Sequence, residues 1–160
     1  CSYSSPLGEM LIASDGSAVT GLWFIGQKYF GSTLEAEYAE KALPVFGQTV
    51  RWLDDYFQGN VPMEMPPVSF NSSSFRIRVW KLLMEIPYGH TVTYGEIART
   101  LEKQTGRRIC AQAVGGAVGH NPVSIIVPCH RVIGSNGLTG YAGGLDKKLA
   151  LLRLEGVNVH

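Results

Sequence analysis

The sequence predicts an α+β protein: a small α/β unit over residues 1–68, then a mostly helical unit over 69–160 containing a helix-turn-helix. Three observations predict it. Short apolar runs flank a turn near the N-terminus, a proline-rich stretch divides the chain, and two short helical patterns follow one another across a polar turn.

Met10-Leu11-Ile12-Ala13 and Val19-Thr20-Gly21-Leu22-Trp23-Phe24 flank Asp15-Gly16-Ser17, which reads as a hairpin of strands. From Thr33 the pattern turns helical, with Leu34, Tyr38 and Leu43, then Val50, Leu53, Tyr56 and Phe57. Pro44 falls inside this pattern, so two helices or one broken helix are expected. Gly59 to Pro67 holds three of the eight prolines and reads as an extended linker. Ser72-Ser73-Ser74 can cap a helix with the apolar stripe Phe75, Val79, Leu82 and Leu83, ending before Pro87-Tyr88-Gly89. A capped helix is expected from Thr93-Tyr94-Gly95-Glu96 to about Glu102. The polar turn Lys103–Gly106 follows, then a second helix from about Arg107 to Val118.

That second helix is nearly bare, with Ala111, Ala113, Gly115, Gly116, Ala117 and Gly119. Each helical glycine costs about 1 kcal/mol against alanine, so something compensates. Either a neighbouring helix packs tightly here, or a bulky partner such as a DNA groove approaches the backbone closely.

A net charge of +1 selects no partner by itself; a nucleic acid would need local basic clusters. Two are present, Arg76 with Arg78 and Lys81, and Arg99 with Lys103, Arg107 and Arg108, although such clusters also occur on solvated helix faces. No apolar run approaches the roughly 20 residues that span a bilayer, so no membrane partner is expected. Cys1, Cys110 and Cys129 are odd in number, and no signal peptide is visible, which points to reduced thiols in a cytoplasm. The start at Cys1 rather than Met suggests residues ahead of it. No cysteine pair has zinc-finger spacing, and His90, His120, His130 and His160 are scattered, so no metal site is expected.

The chemistry concentrates between Asn121 and Val132. An apolar run, Val123 to Val127, reads as a buried strand or extended segment. Pro128 ends regular structure, and a thiol and an imidazole follow at Cys129 and His130. Cysteine attacks as the thiolate, and a histidine can take its proton. Adjacent side chains rarely face each other, so a bridging water in a tight turn is the favoured route. Taken singly, Cys129 as an inert buried thiol and His130 as a core histidine are the commoner cases.

The string Pro128-Cys129-His130-Arg131-Val132 resembles the active-site signature of the O6-alkylguanine-DNA alkyltransferases, also called methylated-DNA–protein-cysteine methyltransferases. The resemblance covers about residues 72–160. It includes Tyr94-Gly95, Ala113-Val114-Gly115-Gly116-Ala117, Asn121-Pro122, Gly140-Tyr141-Ala142-Gly143-Gly144 and Leu154-Glu155-Gly156. The first 66 residues match in style only, as a small ribonuclease-H-like α/β domain.

The resemblance implies direct reversal of DNA damage. An alkyl group on O6 of a flipped-out guanine moves irreversibly to Cys129, with O4-alkylthymine left open as a second substrate. It implies no cofactor and no metal. It also implies double-stranded DNA containing alkylated bases as partner, action as a monomer, and a cytoplasmic location, nucleoid-associated when DNA is bound.

By position, Cys129 is the acceptor, His130 the general base through a water, and Glu155 the residue that orients the imidazole. Asn121 supports the turn, and Tyr94 donates to guanine N3. Tyr141, Ala142 and Gly143 wall the pocket, the Val132 carbonyl accepts from the guanine amino group, and Ser124 stands where a proline often packs on the base. Arg107, Arg108, Ala111, Gly115 and Arg131 are expected at the DNA. Gln112 stands where an arginine usually fills the gap left by the flipped base. His130 and Glu155 are expected to favour the charged form of Cys129. The competing readings are a DNA-binding relative without transfer, which Cys129 argues against; a cysteine hydrolase, which would turn over repeatedly; and a transcription factor using the helix-turn-helix alone.

Overall fold

A computed structural model describes residues 1–159; His160, the end of the expected second unit, lies outside the described residues. The chain divides into two compact units. The first comprises Cys1–Asn71 together with Pro122–Ser124, and the second Ser72–Asn121 together with the residues from Ile125 onward.

The first unit is an antiparallel meander, β1 (Ser2–Ser5), β2 (Gly8–Ser14) and β3 (Val19–Phe24), covered by α1 (Pro44–Phe57). The Asp15 carboxylate closes the β2–β3 turn by accepting from the Ser17 and Ala18 amides, both at 3.0 Å, and Gly16 supplies the φ of 114°. β3 is buried along almost its whole length. Gly21 is required there, because an added Cβ would lie 2.0 Å from the Trp23 ring. Beyond the meander β3 binds two further segments: Val19 donates to Pro67 O at 2.7 Å, and Leu22 donates to Pro122 O at 2.8 Å.

The expected helix from Thr33 is absent. Residues 33–43 are irregular, with Tyr38 71% exposed, and α1 starts at Pro44. Proline lacks a donor and suits a first helical turn, so Pro44 starts the helix rather than interrupting it. The stripe that α1 buries, Val45, Thr49, Trp52, Leu53 and Tyr56, begins only after it.

In the second unit, α2 (Ser74–Met84) is capped by Ser73, whose hydroxyl accepts from the Arg76 amide at 3.3 Å. α3 (Tyr94–Thr105) carries a full capping box between Thr93 and Glu96 and stops at left-handed Gly106. α4 (Ala111–Gly119) follows, so Arg107 to Cys110, expected as its first turn, form part of the connecting turn instead. α3 and α4 pack together in the order of a helix-turn-helix, and α2 lies against both. Trp80 ties α2 to α4 by donating to Ala117 O at 2.8 Å. Short parallel strands β4 (Val92–Thr93) and β5 (Val132–Ile133) pair beside them, and α5 (Leu145–Leu154) closes the unit.

The Val123–Val127 run is wholly buried but is not a strand. Val123 bridges Leu22 within the first unit, and at Ile125, where the chain enters the second unit, φ is 71°. A β-branched residue in the left-handed region costs roughly 1–3 kcal/mol, so surrounding packing must impose the turn. Among the described residues no helix is long and apolar enough to cross a membrane.

Candidate active site

Cys129 begins a single 3-10 turn, Cys129–Arg131, just after Pro128. The Cys129 amide donates to Val127 O at 2.8 Å, and that of Arg131 to Pro128 O at 3.0 Å. The turn sends adjacent side chains apart, so Cys129 and His130 engage different partners. Asn121 Nδ2 donates to Val127 O at 2.9 Å, and the Asn121 and Tyr141 side chains are among the groups that draw the thiol pKa downward. Tyr94, at the start of α3, hydrogen-bonds the Thr139 side chain.

His130 is fully buried and meets the Glu155 carboxylate, Nε2 to Oε2, at 2.5 Å. Glu155 sits at the C-terminal end of α5 and accepts three further bonds. Arg131 reaches it through Nε at 2.8 Å and Nη2 at 3.2 Å, and the Gly89 amide through 2.9 Å. These donors outweigh the desolvation that opposes ionisation and hold the Glu155 carboxyl down at about 2. A carboxylate can only accept, so His130 Nε2 carries the proton and Nδ1 carries the basic lone pair. Burial lowers the pKa of His130 more than the Glu155 charge raises it, so the ring is neutral at ordinary pH. A neutral histidine with a fixed tautomer can act as a general base.

The thiol differs from expectation. Burial pushes Cys129 above its ordinary pKa, and the opposing influences are Asn121, Lys148, a backbone amide and Tyr141. His130 is not among them. The thiol therefore rests protonated at neutral pH.

Arg131 is corrected as a DNA contact. It is 8% exposed, with the Nε–Nη2 edge of its guanidinium on Glu155, Nη1 donating to Ile86 O at 2.7 Å, and its plane near the Tyr88 ring. The fork geometry that suits phosphate suits a carboxylate equally. Ser124, expected at the pocket, has its partners elsewhere. It belongs to the first unit, where its amide donates to Leu22 O at 2.9 Å and its hydroxyl faces Gln27 Oε1 at 3.4 Å.

The other expected residues fall into two groups. Val132 is buried beside the thiol turn, and Tyr141, Ala142 and Gly143 form a half-exposed loop closed by Gly144 donating to Tyr141 O at 2.9 Å. Arg107, Arg108, Ala111 and Gln112 are exposed on the turn and first residues of α4, and a Cβ added at Gly115 would lie 3.9 Å from the Tyr94 ring.

The sequence reading missed Lys148 and Gly89. Lys148 is completely buried and donates to the carbonyls of Val132, Thr139 and Gly140 at 2.5, 2.8 and 3.2 Å. The available signal was its place on the buried stripe of α5 with Leu151 and Leu152. Gly89, at φ 78°, had only its tight-turn context, Pro87-Tyr88-Gly89. Among the described residues no group of His, Cys, Asp and Glu could hold a metal ion.

A buried thiol next to a histidine–carboxylate pair, with two helices packed in the order of a helix-turn-helix, is an arrangement that can serve a cysteine nucleophile. Comparison with known proteins specifies it. The domain described as 6-O-methylguanine DNA methyltransferase, DNA binding domain, matches residues 74–157, and the ribonuclease-like domain of the same methyltransferase matches residues 2–66. The methylated-DNA–protein-cysteine methyltransferase of Mycobacterium bovis is 45% identical over 152 residues, covering 94% of this chain and 88% of the relative. That of Methanosarcina acetivorans is 42% identical, covering 96% of each. The crystal structure of Mycobacterium tuberculosis OGT in complex with DNA superposes with a TM-score of 0.82 at 42% identity, over 96% of this chain and 90% of that one. The chain belongs to the 6-O-methylguanine DNA methyltransferase family.

Proposed function

We propose that this protein repairs DNA by direct reversal, transferring the alkyl group of O6-alkylguanine irreversibly to its own Cys129. The observation that carries the reading is the buried Cys129 turn with a neutral, tautomer-fixed His130 clamped on Glu155. The DNA-bound relative and the methylated-DNA names of the other relatives support the substrate.

In the proposed reaction His130 Nδ1 takes the thiol proton through a water. Sγ attacks the alkyl carbon, the carbon–O6 bond breaks, and the base leaves as guanine after gaining a proton with help from Tyr94. Glu155 stays ionised throughout and stabilises the imidazolium, the role of the third member in a nucleophile, base and orienter set. The thioether is stable, so each molecule acts once. Asn121 supports the turn. The Tyr141–Gly143 loop and Val132 bound the base pocket.

Double-stranded DNA is met by α4 and its preceding turn. An added Cβ at Gly116 or Gly119 would meet nothing within 4 Å, and at Gly115 only an ordinary contact. Tight internal packing therefore does not account for these glycines, whereas close approach of a groove does. Arg107 and Arg108 supply phosphate contacts, and Gln112 occupies the gap left by the flipped base. The proposal includes action as a monomer in the cytoplasm.

Intact-mass measurement after mixing with an O6-methylguanine oligonucleotide tests it. One methyl group per chain is expected, mapping to the Cys129 peptide, and Cys129→Ser should bind duplex without accepting the group. Methylation at Cys1 or Cys110 with Cys129 unmodified would overturn the assignment.

A further inference from the structure

We infer that Glu102 is a positioning residue for DNA binding: from the last turn of α3 its carboxylate holds the connecting turn that carries Arg107 and Arg108 and leads into α4. The inference rests on the reading of α4 and its preceding turn as the surface that meets DNA.

α4 does little to fix its own start. Its N-cap, Cys110, makes no side-chain hydrogen bond, and its first turn holds no acidic residue. The bond from the Val114 amide to Cys110 O is long, at 3.4 Å. Glycines in the rest of the helix weaken it further. The helix is instead held by its neighbours. Towards its C-terminal end the hold is Trp80 of α2, which donates to Ala117 O at 2.8 Å. Ahead of its N-terminal end the hold is Glu102 of α3, whose Oε1 accepts from the Ile109 amide at 2.9 Å. The Glu102 carbonyl also accepts from the Gly106 amide at 2.8 Å, so one residue fixes both the end of α3 and the approach to α4. The Thr105 hydroxyl adds a longer bond, accepting from the Arg107 amide at 3.3 Å.

That this hold is a carboxylate is informative. Arg99, Lys103, Arg107 and Arg108 lie close to Glu102 in sequence, yet among the described residues it forms no ion pair with any of them. Its oxygen is spent on a backbone amide instead, and a carboxylate accepts such a bond about twice as strongly as a neutral group does. On a surface that receives phosphates a negative charge is by itself unfavourable. At Glu102 the placement of the turn therefore outweighs the repulsion. Arg107 and Arg108 stay exposed on a turn whose backbone is fixed beneath them.

The test is binding and single-turnover transfer with an O6-methylguanine duplex, in the full chain and in Glu102→Ala, Glu102→Asp and Glu102→Gln. Charge and placement predict opposite results. Glu102→Ala removes a negative charge, so electrostatics alone would tighten binding; with the hold lost, binding should weaken roughly tenfold, the order of one hydrogen bond to a charged group. Glu102→Asp keeps the charge but falls short of the Ile109 amide, and should weaken binding to a similar extent. Glu102→Gln keeps an acceptor at the same reach and should bind as well as the unaltered protein or better. In Glu102→Ala the salt dependence should flatten by about one phosphate contact, as Arg107 and Arg108 lose their register. The half-saturating duplex concentration should rise, while the limiting transfer rate and the alkylation of Cys129 by iodoacetamide stay the same. Equal affinities in the unaltered protein, Glu102→Ala and Glu102→Asp, or tighter binding by Glu102→Ala, would overturn the inference and leave the proposed function standing. An unaltered protein that does not bind duplex would overturn the proposed function, and this inference with it. If Glu102→Ala fails to fold by thermal unfolding, the other two variants decide: a weaker Glu102→Asp beside an unimpaired Glu102→Gln supports the inference, and equal affinities overturn it.

Discussion

The Glu155 cluster and the α4 surface lie in the same unit, and both break ordinary rules of local stability, in opposite directions. Around Glu155 the protein buries a carboxylate, a guanidinium and an imidazole, and joins them by short hydrogen bonds. Along the open face of α4 it does the reverse, leaving Gly116 and Gly119, where an added Cβ would meet nothing within 4 Å. The first region accepts desolvation to fix a proton's position; the second gives up helix propensity to let something else come close. Sites for chemistry are over-determined from within, whereas sites for a large partner are completed from without.

The largest expected effect would break the comparison at its buried end. Arg131→Met leaves the Glu155 charge buried with fewer donors, a loss of about 3–5 kcal/mol in stability by analogy with broken buried pairs. Urea unfolding should show it, while duplex affinity of the folded fraction stays the same. A variant of unchanged stability that bound duplex more weakly, with a salt dependence reduced by about one phosphate contact, would return Arg131 to the DNA surface.

Glu155→Gln comes next. Transfer should slow by roughly 10²-fold, the ordinary contribution of a general base, with little change in duplex binding. The same carboxylate also links stability to pH. Its pKa lies at about 2 when folded, below the value of 4.5 for an unperturbed group, so its contribution is complete above pH 4.5 and disappears as pH falls toward 2. Urea midpoints of the unaltered protein should decline across that window, and more shallowly in Glu155→Gln. The transfer rate has a separate acid limit, set by His130. Because the pKa of that ring is lowered, activity should persist to a lower pH than an ordinary histidine allows. A limit at or above the ordinary histidine range would remove His130 as the base.

At the exposed end the effects are smaller. Gln112→Ala should slow repair several-fold in duplex and less in single strands, where flipping a base out costs little. Equal effects on both substrates would mean that another side chain fills the gap. Gly116→Ala sharpens the comparison most economically. It should stabilise the protein by about 0.5–1 kcal/mol, because alanine is the better helix former and the added methyl meets no neighbour. It should also weaken duplex binding. Higher stability with unchanged binding would leave the glycines of α4 without an explanation at the DNA.

The difference between the regions also explains how each could be read from sequence. Features that depend on neighbours along the chain were legible: the Ser73 and Thr93 caps, the hairpin at Asp15-Gly16, the stripe of α2, and the bare α4. Pro44 was misread because a proline inside an apparent helical period can end one helix or begin another. Only the burial of Val45 to Tyr56 against the sheet decides which. Val123–Val127 reads as a buried strand or extended segment because buried apolar runs look alike whatever their backbone; the positive φ at Ile125 is imposed from outside the run.

By itself, then, the sequence determined the α+β class, the caps and turns that bound several elements, and the run Cys129-His130, since those follow from local preference; Glu155 as the partner of His130 was what the family resemblance implied. The tertiary structure alone decided who holds whom. It turned Arg131 inward to Glu155 and Ser124 toward Leu22 and Gln27, brought the Gly89 amide to the carboxylate, and buried Lys148 among three carbonyls beside the thiol turn. The physical reason is that a charged side chain carries no local mark of its partner. Whether an arginine meets a phosphate or a carboxylate, and whether a lysine points to water or to a thiol, depends on desolvation and on groups far away in the chain. Those distances exist only once the chain has folded.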